Sequence, residues 1–276
     1  MMSLIRCAAF ITLLVYTGAT FASPVDLKNT GKPVYIESIE IDDERKKDHW
    51  SGSLTLGIAI TPDYLGADEH TATSVLQLKA SYRDTLFIDN NTFGAVLHSS
   101  RFLRAGALGR WNLGREDDEP LRLSTGAKEV GDTFELGLFA ATSLYKFFLA
   151  AEAYKGLGGV HKGFNIELEG GYTFELNSRF KVSPILGAKW GSDKFTNAFF
   201  GIGGDNPEFV AYQAEGGLYE IYGEVSGEYR LGKNWLLKGA ARLAQLQNSA
   251  AISPIVKSAT GNRYQLSSYV GVVWLF

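Results

Sequence analysis

The stretch YQLSSYVGVVWLF, residues 264–276, decides the fold. Val270, Val272, Trp274 and Phe276 fall at every second position. In a strand they share one face, while Gln265, Ser267, Tyr269 and Gly271 share the other. The alternation runs through to Phe276, where a soluble domain ordinarily trails off in polar residues. What the apolar face meets is the question the rest of the chain has to answer.

The 276 residues are 45% hydrophobic and 21% charged, too polar for a bundle of transmembrane helices and too apolar for disorder. There are 31 Gly and only 7 Pro, and 13% of residues are aromatic, a balance that suits a large β protein. Residues 1–22 read as a secretory signal peptide. Arg6 supplies the basic start, CAAFITLLVYTGA the apolar core, and Ala22 the small residue before cleavage. Cys7 is the single cysteine and lies inside that signal, so the mature chain is expected to hold no disulfide, thiolate metal site or cysteine nucleophile. Without Arg6, 26 basic residues face 30 acidic ones, a formal charge of −4. No basic stripe points to nucleic acid. Residues 23–49, with the mixed charge run from Glu37 to Asp48, read as a periplasmic N-terminal segment ahead of the folded body.

From Trp50 onward the period is two. GFNIELEGGYTFEL puts Phe164, Ile166, Leu168, Tyr172, Phe174 and Leu176 opposite Asn165, Glu167, Glu169, Thr173 and Glu175. The same pattern places Phe134, Leu136 and Leu138 opposite Glu135, and Trp235, Leu237 and Leu243 opposite Lys238 and Arg242. The expected strands lie near 50–60, 73–82, 85–90, 93–99, 102–113, 132–142, 146–155, 163–176, 179–190, 212–231, 234–246 and 264–276, which makes twelve. Pro184 is out of character in a central strand and marks an expected bulge or strand end.

The connections carry more weight than the strands. Every even-numbered one is tight, and the long ones, 61–72, 114–131, 191–211 and 247–263, are all odd-numbered. Antiparallel strands send odd and even connections to opposite ends. One end therefore carries turns and the other loops, the asymmetry of outer-membrane barrels with short periplasmic turns. The reading is an all-β, closed antiparallel transmembrane barrel of about twelve strands over residues 50–276, in the outer membrane of a Gram-negative bacterium. Closure pairs every strand edge, as hydrocarbon requires. The apolar face of 264–276 then meets lipid. Trp50, Tyr82, Trp111, Tyr145, Trp190, Trp235 and Trp274 fall near strand ends, as interfacial aromatic girdles do.

The polar faces then line the lumen with Arg104, Arg110, Glu135, Glu152, Glu167, Glu169, Glu175, Lys181, Lys189, Glu220, Glu224, Glu228, Lys238 and Arg242. Charges at bilayer depth need a wet or paired interior. Two readings of that interior stay open: a water-filled pore, or a cross-lumen ion-pair network that stiffens a narrow barrel. His98 and Ser100, on one face of LHSSR, raise an outer-membrane lipid hydrolase as a third-ranked function, without a third orienting group. Glu116, Asp117, Asp118 and Glu119 cluster in an expected external loop, where carboxylates hold cations that bridge lipopolysaccharide or are simply solvated. No cofactor or catalytic residue is expected.

In ITPDYLGADEH, the residues Pro62, Asp63, Tyr64, Gly66 and Asp68 resemble the first external loop of the MipA/OmpV family of outer-membrane proteins. YRDTLFID, ALGRWNLGRED, DTFELGLFA, GGVHKGF and the closing SPIVKSATGNRYQLSSYVGVVWLF resemble further family segments in the same order, together covering most of 50–276. AQLQNSAAISPIV departs from a more acidic stretch in relatives. The resemblance implies a non-enzymatic outer-membrane protein. It further implies a scaffold role, since one member is regarded as holding a lytic transglycosylase beside a murein synthase. A diffusion channel for small solutes is the alternative. If the turns are periplasmic, the N-terminal segment offers the main surface there. Tyr35, Ile36, Ile39 and Ile41 are then the expected contacts with a murein hydrolase or synthase. The competing expectation is that the segment folds up into the lumen and plugs it.

Overall fold

The computed structural model describes residues 33–36, 50–114, 130–159, 161–204, 206 and 209–276. The wall is built from β1 (Trp50–Pro62), β2 (His70–Tyr82), β3 (Leu86–Asp89), β4 (Thr92–Ser99), β5 (Arg104–Asn112), β6 (Thr133–Leu144), β7 (Phe147–Gly156), β8 (Phe164–Tyr172), β9 (Phe174–Glu175), β10 (Phe180–Gly191), β11 (Gly217–Arg230), β12 (Trp235–Leu246) and β13 (Tyr264–Leu275). Each pairs antiparallel with its neighbours. β13 closes on β1 in unbroken register from Ser53↔Leu275 to Ile60↔Ser268. No edge remains at that seam, so the last strand is a wall strand with its apolar side outward.

β8 and β9 are two parts of one strand, so the barrel has twelve. Both pair with β10 in a single register, Gly171↔Ile185 and Phe174↔Val182. The rungs missing between them lie opposite Ser183 and Pro184, and proline has no N–H to give to a ladder. The expected irregularity at Pro184 is thus an interruption in its neighbour, while β10 itself runs on. The β3–β4 hairpin is short and turns low in the wall. β2 pairs with β1 along its whole length but with β3 only from Lys79 to Tyr82.

Outward side chains form an apolar belt that includes Leu56, Ile58, Leu138, Leu186, Leu243 and Val270. Trp50, Phe147, Trp235 and Trp274 ring the tight-turn end, and Trp111 and Trp190 stand at the loop end. Val270 lies mid-strand opposite Ile58 and Gly239 and is 54% exposed. Val270→Arg is expected to lower stability by about 2–4 kcal/mol, the cost of a cation at the midplane of a barrel's lipid face. Urea unfolding in phospholipid vesicles measures this, with Ser178→Arg in an exposed tight turn as the milder control.

The high glycine content has a packing cause. Five inward aromatic rings each sit directly across from a glycine on the next strand: Phe87 and Gly94, Phe139 and Gly106, Tyr154 and Gly137, Phe148 and Gly171, Tyr222 and Gly187. A Cβ on any of these glycines would fall within 3.0 Å of its partner ring. The rings therefore lie along the wall over bare backbone, where a larger neighbour would push them into the lumen.

Among the described residues, the long connections hold three helices that the alternation did not reveal: α1 (Asp193–Phe200), α2 (Asn248–Ile252) and α3 (Pro254–Lys257). β11 accordingly starts at Gly217, later than the expected 212.

Candidate functional site

At the loop end the helices form an apolar cap. Phe195, Phe199 and Phe200 of α1 pack with Tyr219, Leu246, Ala250 and Val256, and Leu65 packs against them. The loop between β1 and β2 is latched to this cap. Gly66 takes a φ of +101°, open to glycine at little steric cost, and its N–H donates to Gln265 Oε1 at 2.9 Å. A Cβ there would also collide with Val256. Tyr64 donates to the Thr260 carbonyl at 3.4 Å, and Asp68 accepts from Asn262 Nδ2 at 2.8 Å. Asp63 pairs through its N–H with Glu69, and Pro62 ends β1. These loop residues stitch the β1–β2 connection to the one before β13, across the closing seam.

Inside the cap lies a layer of charge. Arg110 donates from Nε to Glu135 and from Nη1 to Glu167, both at 2.6 Å, and all three side chains are buried. Its guanidinium sits 3.6 Å over the Tyr154 ring. Arg242 repeats the device, donating to Glu220 at 2.6 Å and stacking 3.5 Å over Tyr222. Lys189 approaches Glu220 at 3.8 Å. Tyr222 donates to Glu169 at 3.0 Å, and the hydroxyl of Tyr154 donates to Glu152. Each guanidinium thus has a carboxylate at its edge and a ring on its face, the pairing that makes a buried cation tolerable. Arg104 and Glu224 are buried in the lumen as well, and Arg104 donates to the Asp84 carbonyl at 2.8 Å. Lys238 pairs with Glu228 at 3.2 Å and Lys79 with Asp89 at 3.3 Å. Glu175 and Lys181, read as lumenal, pair with each other at the tight-turn end, where Glu175 also meets Lys146, with all three side chains about half exposed. That end of the wall is β9, beyond the interruption.

The network continues to residues from outside the barrel. Pro33–Ile36 lie in the lumen, with Tyr35 3% and Ile36 0% exposed. The Tyr35 ring stacks on Phe139 at a centroid distance of 4.3 Å, and its hydroxyl donates to Glu152 at 2.6 Å. Burial first, then the Glu152 carboxylate, raises this phenol well above its ordinary value, so it acts as a neutral donor. Val34, Tyr35 and Ile36 share one apolar cluster with Phe87, Phe139, Phe148, Ile185 and Tyr222, drawn from opposite sides of the wall. Of the two placements expected for Tyr35 and Ile36, a periplasmic partner surface or the lumen, they occupy the second, where their apolar side chains find a ready-made aromatic floor. Ile39 and Ile41 lie outside the described residues, as do residues 1–32 and the acidic run 116–119. The signal in the sequence was the apolar triplet of residues 34–36 just ahead of a charge run.

Between cap and floor is a cavity of about 100 Å³, bordered by Arg110, Lys189, Arg242, Glu167, Glu220 and Asn165. His98 and Ser100 are not brought together by any contact. His98 sits beside an irregularity after Val96, and Ser100 is bonded to the Leu103 backbone. Both are exposed.

The family model for MltA-interacting protein MipA matches residues 54–276. The chain belongs to the MipA family. The latched loop residues, the charged lumen and the closing strand all fall within the matched span. No curated protein matches this MipA-family chain by sequence. Among solved structures, it is similar to a KdgM porin at 12% identity and a TM-score of 0.41, over 81% of this chain and 99% of that one. It is also similar to a NanC porin, at 8% identity and 0.41, over 81% and 98%. OmpT of Vibrio cholerae, an outer-membrane protein, is similar at 7% identity and 0.38, over 82% and 97%. With a closed barrel, an apolar belt and aromatic ends, this MipA-family protein is an outer-membrane β-barrel.

Proposed function

We propose that this protein is a non-enzymatic scaffold of the outer membrane, a barrel with a closed lumen. It holds a murein-cleaving lytic enzyme at the inner face of the membrane and, through it, murein synthesis. The occupied lumen carries the reading: Tyr35 and Ile36 fill the space a solute would cross, and the Arg110 and Arg242 clusters span what lies above them. The partner class rests on the family's description as MltA-interacting.

Because Tyr35 and Ile36 are inside, the tight turns become the surface for contact. Arg83, Arg101, Arg179 and Lys233 stand exposed there, with Phe102 and a 91% exposed Tyr145 among them. Arginine and bare aromatic side chains are the anchors that dominate binding energy at interfaces. Photo-crosslinkers placed at Phe102 and Tyr145 in cells are expected to capture a murein lytic enzyme. Capture of lipid alone would remove the scaffold reading. The alternative, a diffusion channel for small solutes, draws on the polar side chains of the lumen. Planar-bilayer recordings of the full chain are expected to show no discrete steps, and reproducible open levels would favour the channel.

A further inference from the structure

The chamber beneath the cap holds polar atoms that the protein itself does not satisfy. Arg242 is 6% exposed and bonds Glu220 through Nη2, yet its Nη1 has no hydrogen-bond partner. Asn165 is 2% exposed, and its Oδ1 has none either. Both side chains border the same cavity. An orphaned buried donor and an orphaned buried acceptor are each costly, and native interiors rarely keep them unless something fills the gap. The bordering charges are three cations, Arg110, Lys189 and Arg242, and two carboxylates, Glu167 and Glu220, with Glu135 paired to Arg110 behind them, so Arg242 Nη1 is the donor left over.

We propose that this chamber binds a small carboxylate with a hydrogen-bond donor on its α-carbon, a hydroxy acid or an amino acid. The carboxylate accepts from Arg242 Nη1 near the loosely held Lys189 ammonium. The hydroxyl or ammonium donates to Asn165 Oδ1. Size sets the limit. A dry cavity of about 150 Å³ takes a six-atom ring, so roughly four or five heavy atoms fit here. Tyr154 and Tyr222, stacked on the two guanidiniums, belong to the apolar cluster that holds the Tyr35 segment. The low turn of the β3–β4 hairpin makes the wall lowest beside the chamber, where Asn91 borders the cavity. This assignment is independent of the scaffold role.

The test uses the full chain in detergent micelles and ligand-observed NMR titrations with glycolate, glycine, acetate and propionate. Glycolate or glycine is expected to bind about tenfold or more tighter than acetate, the worth of one good hydrogen bond in a buried site. Which of the two wins tells hydroxyl from ammonium. Arg242→Gln is expected to abolish binding of all four. Asn165→Ala is expected to reduce the best ligand to the level of acetate while the far-ultraviolet circular dichroism stays that of the native barrel. Equal binding of acetate and glycolate, no binding of any probe (a chamber filled by water), or an unchanged preference in Asn165→Ala would each overturn the proposal. If Arg242→Gln does not fold, the asparagine variant still decides.

Discussion

Replacing Arg110 by Met is expected to destabilise the barrel by about 3–5 kcal/mol, the range for stranding the partners of a buried ion pair. Two carboxylates are left behind. Glu135 is 1% exposed and Glu167 7%, and the guanidinium reaches both at 2.6 Å. They come from β6 and β8, the strands on either side of β7, so Arg110 also ties three neighbouring wall segments through their interior faces. Methionine keeps some of the packing on Tyr154 but offers neither charge nor donor. Urea unfolding in vesicles, followed by tryptophan fluorescence, gives the number. The triple variant Arg110→Met, Glu135→Gln, Glu167→Gln separates charge from packing. With the stranded charges removed it is expected to recover at least half of the loss, and the single changes will not add because they share one network. A loss under about 1 kcal/mol for Arg110→Met would mean that water reaches this layer freely and the lumen is wet.

The wall was legible because its physics is local. Alternation in GFNIELEGGYTFEL and YQLSSYVGVVWLF states which side of each strand meets lipid, and the pleat enforces it residue by residue. Loop asymmetry gave the closure, since antiparallel neighbours sort connections to two ends. The charged side chains could be assigned inward for the same reason, but their partners could not be named. Arg110 meets Glu135 across one ladder and Glu167 across three, and that depends on register and tilt, which no single strand encodes. The α1–α3 cap was invisible because such short helices carry too few turns for a period of 3.6 to emerge within loop-like composition. Tyr35 and Ile36 stayed open between two placements for another reason. An apolar triplet in a charged segment seeks cover, and sequence does not say whether a partner or the chain's own lumen supplies it. Glycines opposite Phe87, Phe139 and Tyr154 held the missing hint of an aromatic interior, legible only once cross-strand pairs were known.

Tyr35→Ala is expected to release the N-terminal segment from the lumen. The ring is 3% exposed, stacks on Phe139 and donates to Glu152, and losing a buried aromatic ring of this size costs about 3–5 kcal/mol. Pro33–Ile36 sit apart from the strands, so the loss should surface as local undocking, with global unfolding falling by no more than the docking energy itself. The readout is therefore local: Ile36→Cys, 0% exposed, in a Cys7→Ser background where it is the single thiol, challenged with a water-soluble maleimide. Tyr35→Ala should speed labelling by about 10²–10⁴-fold, since each 1.4 kcal/mol is a factor of ten. Tyr35→Phe removes only the hydroxyl's bond to a carboxylate and should speed it by about 10–100-fold. Fast labelling in the presence of native Tyr35 would show that the segment is not held inside, and would return Tyr35 and Ile36 to the periplasmic surface. The same Tyr35→Ala protein in planar bilayers then separates two roles for the segment. Steps that appear only after release make it a stopper on a latent channel. A barrel that stays silent is closed by the Arg110 and Arg242 clusters and the helical cap, and the segment serves to brace the wall around which a partner assembles.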